Sequence, residues 1–280
     1  MSRHTSFCIG GNAEIFVIPE NTEQLRLAVL CAKNENIPYF ILGNGSNILV
    51  SDKGIRGAVI CLSKLSEVRI CGENTLYAGA GAKLLAVCAA ARDASLSGLE
   101  FAYGIPGSVG GAVCMNAGAY GGEMKDVVLK VEYLSKDGGI ITAEKDVLDF
   151  GYRKSVFQTN GGIVSGAYFS LYPGDKSAIG EKMKQTMQKR VDKQPLDLPS
   201  AGSVFKRPEG NFAGALIESC GLKGFGIGGA RVSEKHAGFI VNSGEASAKD
   251  VKQLAEHIKK TVYEKHGIQL ECEIRFIGEI

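Results

Sequence analysis

The chain has 280 residues and a mass of 29.7 kDa, enough for one large domain or for two to three small ones sharing interfaces. With 32 basic and 30 acidic residues the net charge is +2, so a sequence-wide affinity for nucleic acid or for an anionic membrane has no electrostatic basis. Glycine is abundant, at 37 residues against 7 prolines and no repeat, which excludes collagen and most disordered linkers and points to many sharp bends or close backbone approaches.

In chain order, Asn21 reads as a helix N-cap with Gln24 completing an approximate capping box, and a helix follows through TEQLRLAVLCAKNEN. IPYFIL then reads as a buried strand, and ILVSDKGIRGAVICL as two further apolar strands around a turn. This β-α-β start, residues 1–66, forms a first subdomain. A strand-rich second part, 67–195, contains TLYAGAG, an Ala-rich helix from Lys83 to Leu96, and VLKVEYLS and GIITAEK joined by a Lys-Asp-Gly-Gly hairpin turn. A long charged helix, about Asp175 to Lys193, runs into the break QPLDLPS. The remainder, 196–280, reads as a helix near Ala213–Cys220, a strand in HAGFIVN, a helix Ala248–His266 and a terminal strand Gly267–Phe276. Segregated helices and mixed strands predict an α+β fold rather than a regular βαβ array.

No apolar run approaches the ~18 residues of a membrane span, and the N-terminus lacks the apolar core of a signal peptide, so a cytoplasmic protein is expected. The eight cysteines are scattered, mostly within apolar segments and without a CxxC pair, and read as buried reduced thiols. The four histidines lack metal-site spacing, and no metal is expected.

Three glycine clusters stand out. Gly43-Asn44-Gly45-Ser46-Asn47 follows a strand, and adjacent small residues there can turn several N–H groups toward one anion; an ordinary turn between strands is the plainer reading of the same residues. It is no Rossmann fingerprint, because Ile48-Leu49-Val50 continues as strand. The second cluster, Gly104-Ile105-Pro106-Gly107-Ser108-Val109-Gly110-Gly111, continues into Asn116-Ala117-Gly118-Ala119-Tyr120-Gly121-Gly122, and two dense loops so close together fit close approach to a large flat or polyphosphate ligand better than turns alone. The third, Gly224 to Gly229, reads as structural. A Walker A loop is excluded by the lack of any Gly-Lys dipeptide, and a nucleophile elbow by the lack of GxSxG. The terminal strand alternates, with Gln269, Glu271, Glu273 and Arg275 on one face, either a solvated face or groups fixed beside a site. Ser203 and Arg153, taken singly, read as a loop hydroxyl and a surface charge.

As an ordered set these segments say more. Thr5-Ser6-Phe7 with Gly10-Gly11, GNGSN, GIPGSVGGAVCMNAGAYG, Tyr152-Arg153-Lys154-Ser155, Gly202-Ser203-Val204-Phe205-Lys206-Arg207-Pro208, Lys235-His236-Ala237-Gly238-Phe239 and Glu271 to Gly278 together resemble the UDP-N-acetylenolpyruvoylglucosamine reductase family over essentially the whole chain. The likeness is to its shorter variant, which lacks an inserted tyrosine-bearing loop.

The resemblance implies a two-part FAD-binding unit of the vanillyl-alcohol-oxidase type plus a C-terminal α+β substrate-binding domain. It implies FAD contacts at Gly43, Asn44, Gly45, Ser46, Asn47, Gly104, Ile105, Pro106, Gly107, Ser108, Gly110, Gly111, Asn116, Ala117 and Gly118, with NADPH as co-substrate. It implies reduction of an enolpyruvyl nucleotide sugar, with Ser203 as proton donor and with Arg153 and a protonated Glu273 stabilising the enolate. Tyr152, Lys206, Arg207 and His236 are implied substrate contacts, although Arg207 stands where asparagine is common. A monomer without nucleic-acid or membrane partner is expected. Another FAD-dependent oxidase or dehydrogenase of the same fold, or a non-catalytic nucleotide-binding relative, stays open.

Overall fold

In the computed structural model, which describes residues 1–279, the chain divides into two compact units. One comprises Ile15–Asn44 and Gly57–Lys189. The other comprises Met1–Glu14, Gly45–Arg56 and the segment from Arg190 on. The backbone passes between them four times, and one passage falls inside GNGSN, between Asn44 and Gly45. This grouping differs from the three consecutive segments expected above.

In the larger unit, helix α1 (Thr22–Asn34) buries Leu25, Val29 and Ala32, which recur at i, i+4 and i+7 and so share one face. Asn21 caps it as predicted, its side chain accepting from Gln24 N–H at 2.9 Å; in return Gln24 Oε1 accepts Glu20 N–H, one residue earlier than a capping box requires. Tyr39–Leu42 pairs in parallel with Ala58–Cys61, in a three-stranded sheet ordered Ala13–Val17, Ile55–Cys61, Tyr39–Leu42. A five-stranded antiparallel sheet has the order Ile140–Glu144, Val128–Leu134, Ile163–Ser170, Thr75–Gly79, Val68–Ile70. Its central strand, Ile163–Ser170, is not among the strands expected above: IVSGAYFS lacks clean alternation, although Asn160-Gly161-Gly162 and Pro173-Gly174 flank it as turn signals. The Lys-Asp-Gly-Gly hairpin forms as expected, with Leu134 opposite Ile140.

Helix α2 (Leu84–Asp93) and a short helix α3 (Val109–Cys114) pack on this sheet, with Leu76, Ala78, Val131, Ala167 and Phe169 beneath them. GIPGSVGG is therefore loop and helix rather than loop alone. Helix α4 (Met124–Val127) is a single turn, and α5 (Lys176–Lys193) buries Ile179, Met183 and Thr186.

In the smaller unit, a four-stranded antiparallel sheet runs Ser200–Ser203, Phe239–Asn242, Ala230–Val232, Gly226–Ile227; the third glycine cluster is thus its edge hairpin. Helix α6 (Ala213–Ser219) and helix α7 (Ala248–His266) cover a core of Phe7, Leu49, Val204, Ile217, Ile240, Leu254, Ile258 and Ile274. Helix α7 has the predicted bounds, with a Ser247–Asp250 capping box at one end and Gly267 in the left-handed conformation at the other.

Ile48–Val50 and Ile55–Cys61 both form as strands around their turn but in different sheets, Ile48–Val50 pairing in parallel with Arg275–Ile277. One strand expectation needs correction. The terminal strand is confined to Arg275–Ile277, and the segment before it pairs with the chain only at an isolated bridge, Phe205 opposite Cys272. That parallel pairing, together with buried Phe7 and Leu49, is why the N-terminal residues group with the C-terminal segment.

Of the eight free cysteines only Cys61 and Cys88 are buried, and Cys8 and Cys31 are exposed, so the expectation of buried thiols holds for a minority. Among the described residues no cluster of His, Cys, Asp or Glu is fit to hold a metal, and no helix is long and apolar enough to cross a membrane.

Candidate functional site

The candidate residues fall into two groups, one in each unit.

In the larger unit, Gly43 leaves the strand Tyr39–Leu42 at its C-terminal end. A Cβ on Gly43 would stand 2.5 Å from Ser108 Oγ and 4.0 Å from Gly111 N. Ser108 itself is buried, precedes α3, and has no hydrogen-bond partner for its hydroxyl. A buried hydroxyl without a partner costs about 1–3 kcal/mol, and a methyl group on Gly43 would collide with this one, so glycine at position 43 leaves the Ser108 hydroxyl available to a ligand atom. Asn44 Nδ2 donates to the Pro106 carbonyl, tying the two glycine loops together. Within the second loop, Val109 N–H donates to Ala82 O at 2.9 Å and Gly110 N–H to Ala80 O at 2.8 Å. Those amides hold α3 against the sheet edge, which leaves Ser108 Oγ and Gly111 N–H as the groups facing Gly43.

Asn116, expected among the cofactor contacts, has a side chain engaged wholly within the protein. Fully buried and in the left-handed conformation at φ +42°, it donates through Nδ2 to Glu123 Oε2 and to Gly151 O, each at 2.9 Å, and accepts Lys125 N–H at 2.9 Å. Lys125, with help from Asn116 and from the charge of Arg153, holds the Glu123 carboxyl below its ordinary range.

Arg153 lies at φ +53° in the turn Gly151–Lys154, whose end residues exchange hydrogen bonds of 3.0 and 3.1 Å. For a non-glycine residue this conformation costs about 1–2 kcal/mol. Its Nη1 donates to Gly118 O at 3.5 Å, and its guanidinium stands 5.3 Å from the centre of the Tyr152 ring. Tyr152 is half exposed.

In the smaller unit, the strand Ser200–Ser203 carries one extra residue against its partner, since Ser200 pairs with Val241 but Ser203 with Phe239. Gly202, at φ +79°, absorbs that bulge and re-aims Ser203, a position most side chains would not tolerate. Ser203 Oγ donates to Phe205 O at 3.1 Å. Immediately beyond, Glu273 N–H donates to Val204 O at 2.7 Å and Lys206 N–H to Glu271 O at 2.9 Å. The backbone thus brings Ser203 and Glu273 onto neighbouring segments although they stand 70 positions apart in sequence.

Asn47 donates to Glu273 O at 3.2 Å, and Gly45 sits so close to His4 that a Cβ would collide with its carbonyl. Lys206 forms an exposed ion pair with Glu271 at 2.9 Å. The Arg207 guanidinium stacks 3.9 Å from the centre of the Phe212 ring. His236 is held below its ordinary pKa by burial, and its Nδ1 accepts Gly238 N–H at 3.1 Å, which leaves Nε2 as the ring donor. Sequence reasoning missed Gln158, which donates to Arg153 O at 2.9 Å, and Phe212; no local pattern marks either. A groove of about 550 Å³ between Gln194–Leu198 and Arg231–Lys235 contains none of the candidate residues.

Residues 13–144 match the family model described as FAD binding domain, which places the chain among FAD-binding proteins, and the orphan Ser108 hydroxyl beside Gly43 lies within that span. Residues 194–277 match the model described as UDP-N-acetylenolpyruvoylglucosamine reductase, C-terminal domain. Among curated relatives, the UDP-N-acetylenolpyruvoylglucosamine reductase of Clostridium novyi is 51% identical over 100% of this chain and 91% of its own length. That of Caldanaerobacter subterraneus is also 51% identical, over 100% and 92%. A crystal structure of the Thermus caldophilus enzyme superposes with a TM-score of 0.85 at 39% identity, covering 99% of this chain and 97% of that one. The chain belongs to the UDP-N-acetylenolpyruvoylglucosamine reductase family, whose members are oxidoreductases of peptidoglycan precursor synthesis.

Proposed function

We propose that the protein reduces UDP-N-acetylglucosamine enolpyruvate to UDP-N-acetylmuramate at the expense of NADPH. The observation that supports this reading is the pairing of Glu273 N–H with Val204 O, which brings the backbone of Glu273 next to the residue that follows Ser203. FAD, when bound, supplies the two-electron relay between the nicotinamide and the enolpyruvyl double bond. Gly43, Ser108 and Gly111 would hold its diphosphate, the hydroxyl and amide donating to phosphate oxygens where a side chain on Gly43 would intrude.

The remaining chemistry falls to the chain. Addition of hydride to the terminal carbon of an enol ether conjugated to a carboxylate places negative charge on that carboxylate as an enolate. Arg153 stabilises the charge as it develops, and its left-handed turn fixes the guanidinium in advance, so that little reorganisation accompanies the reaction. Glu273 donates a hydrogen bond to the same charge. Ser203 Oγ, released from Phe205 O, gives its proton to the carbon next to the carboxylate, completing addition of one hydride and one proton across the double bond. Lys206 leaves Glu271 and pairs with a substrate oxyanion, with Tyr152, Arg207 and His236 as further contacts. The near-neutral charge gives no electrostatic basis for a nucleic-acid or membrane partner, and we take the protein to act as a monomer in the cytoplasm.

The test is optical. NADPH should bleach the flavin absorbance of the purified protein, and anaerobic UDP-N-acetylglucosamine enolpyruvate should restore it with formation of UDP-N-acetylmuramate. Bleaching that the enolpyruvyl sugar fails to reverse would overturn the reading.

A further inference from the structure

The turn that carries Arg153 is strained, and three side chains around it are arranged to hold it. Asn116 Nδ2 donates to Gly151 O at the start of the turn. Gln158 Nε2 donates to Arg153 O at 2.9 Å and to Cys114 O at 3.0 Å. Ser155, fully buried, donates from Oγ to the same Cys114 O at 2.7 Å. Cys114 closes α3 and Asn116 lies two residues beyond it, so the end of that helix and the Arg153 turn form one hydrogen-bonded block. Asn116 is itself left-handed and fully buried, an arrangement that persists only where the surroundings over-determine it. With both its amide hydrogens and its carbonyl occupied by protein groups, its side chain has no donor to offer a cofactor.

We infer that Asn116 and Gln158 are positioning residues for Arg153: they hold the Gly151–Lys154 turn in the left-handed conformation that presents the guanidinium, and Asn116 does so in place of contacting FAD. The inference rests on the proposed role of Arg153 in substrate reduction. Loss of either brace lets the turn relax toward the ordinary right-handed or extended backbone, which swings the guanidinium away while leaving flavin binding and the NADPH step untouched.

The experiment is a double-mutant cycle on the FAD-loaded enzyme, using Asn116→Ser, the exposed and structurally milder Gln158→Ala, and Arg153→Ala. Each brace variant should slow flavin reoxidation by the enolpyruvyl substrate about 10- to 100-fold. FAD affinity, read by fluorescence titration, and the rate of bleaching by NADPH should stay within about twofold, a margin well under 1 kcal/mol. In the Arg153→Ala background the same changes should add nothing, because the residue they act through is gone. Additive losses, weakened FAD binding in Gln158→Ala, or undiminished reoxidation in both brace variants would each overturn the inference. If Arg153→Ala alone reoxidises normally, it is the role of Arg153 in the proposed function that fails.

Discussion

The Asn47 side chain donates a 3.2 Å hydrogen bond to the carbonyl of Glu273, and the backbone carbonyl of Asn47 accepts Arg275 N–H at 3.0 Å. The last residue of the first glycine cluster thereby fixes the backbone on either side of Ile274, which is buried in the core of the smaller unit. Replacing it removes one donor from a partly buried carbonyl, so Asn47→Ala should cost about 1 kcal/mol of stability. Reoxidation by substrate should suffer more than bleaching by NADPH, since Glu273 is what the bond positions. Urea unfolding midpoints and stopped-flow absorbance give the two readings, and equal effects on both half-reactions would count against a role through Glu273.

Ser203→Ala removes the proposed proton donor and keeps the bulge at Gly202. Positioned proton transfer contributes about 10²–10⁴-fold, so substrate-dependent reoxidation should fall by that order while NADPH-dependent bleaching is nearly intact. Equal losses in both half-reactions would remove Ser203 from this role.

Gly43→Ala and Gly110→Ala separate cofactor binding from packing. The first places a methyl group 2.5 Å from the orphan Ser108 hydroxyl, and should weaken FAD binding about tenfold or more with a folded apoprotein. The second sets its methyl 2.9 Å from Ala80 Cβ, where α3 meets the sheet, and should lower the unfolding midpoint of the apoprotein itself. Flavin titration and thermal unfolding of both apoproteins check the contrast.

His236 sits below its ordinary pKa of about 6.5 because burial disfavours the imidazolium. As pH falls below that ordinary value the unfolded chain takes up a proton that the folded chain refuses, so this residue contributes a loss of stability on acidification and nothing above neutrality. Unfolding temperature measured between pH 5 and 8 should slope less in His236→Gln than in the parent. Identical slopes would show that His236 is not the group responsible.

Phe7 is fully buried and packs in the same core as Leu49 and Leu254. Phe7→Ala should therefore destabilise by about 3–5 kcal/mol, a large cost for a residue so near the N-terminus. A change under 1 kcal/mol in the denaturant midpoint would mean that the first 14 residues are not integral to the smaller unit.

Much of the fold was legible because helices and hairpins answer to neighbours three, four or a few residues away. The buried stripes of α1 and α7, the Asn21 and Ser247 caps and the Lys-Asp-Gly-Gly turn are all written at that range. The glycine loops and the trio Arg153, Ser203 and Glu273 could be picked out as an ordered set of residue types. Tertiary structure alone decided the rest. The partner of Ile48–Val50 lies more than 220 residues downstream, and nothing in ILV specifies Arg275–Ile277 over the adjacent Ile55–Cys61. The sequence places Asn116 in a glycine-rich loop, but only its three hydrogen bonds show that its side chain is engaged within the protein, because an amide shows whom it serves only by what surrounds it. Local sequence encodes which conformations a segment can adopt, whereas the burial and pairing that choose among them depend on residues far along the chain.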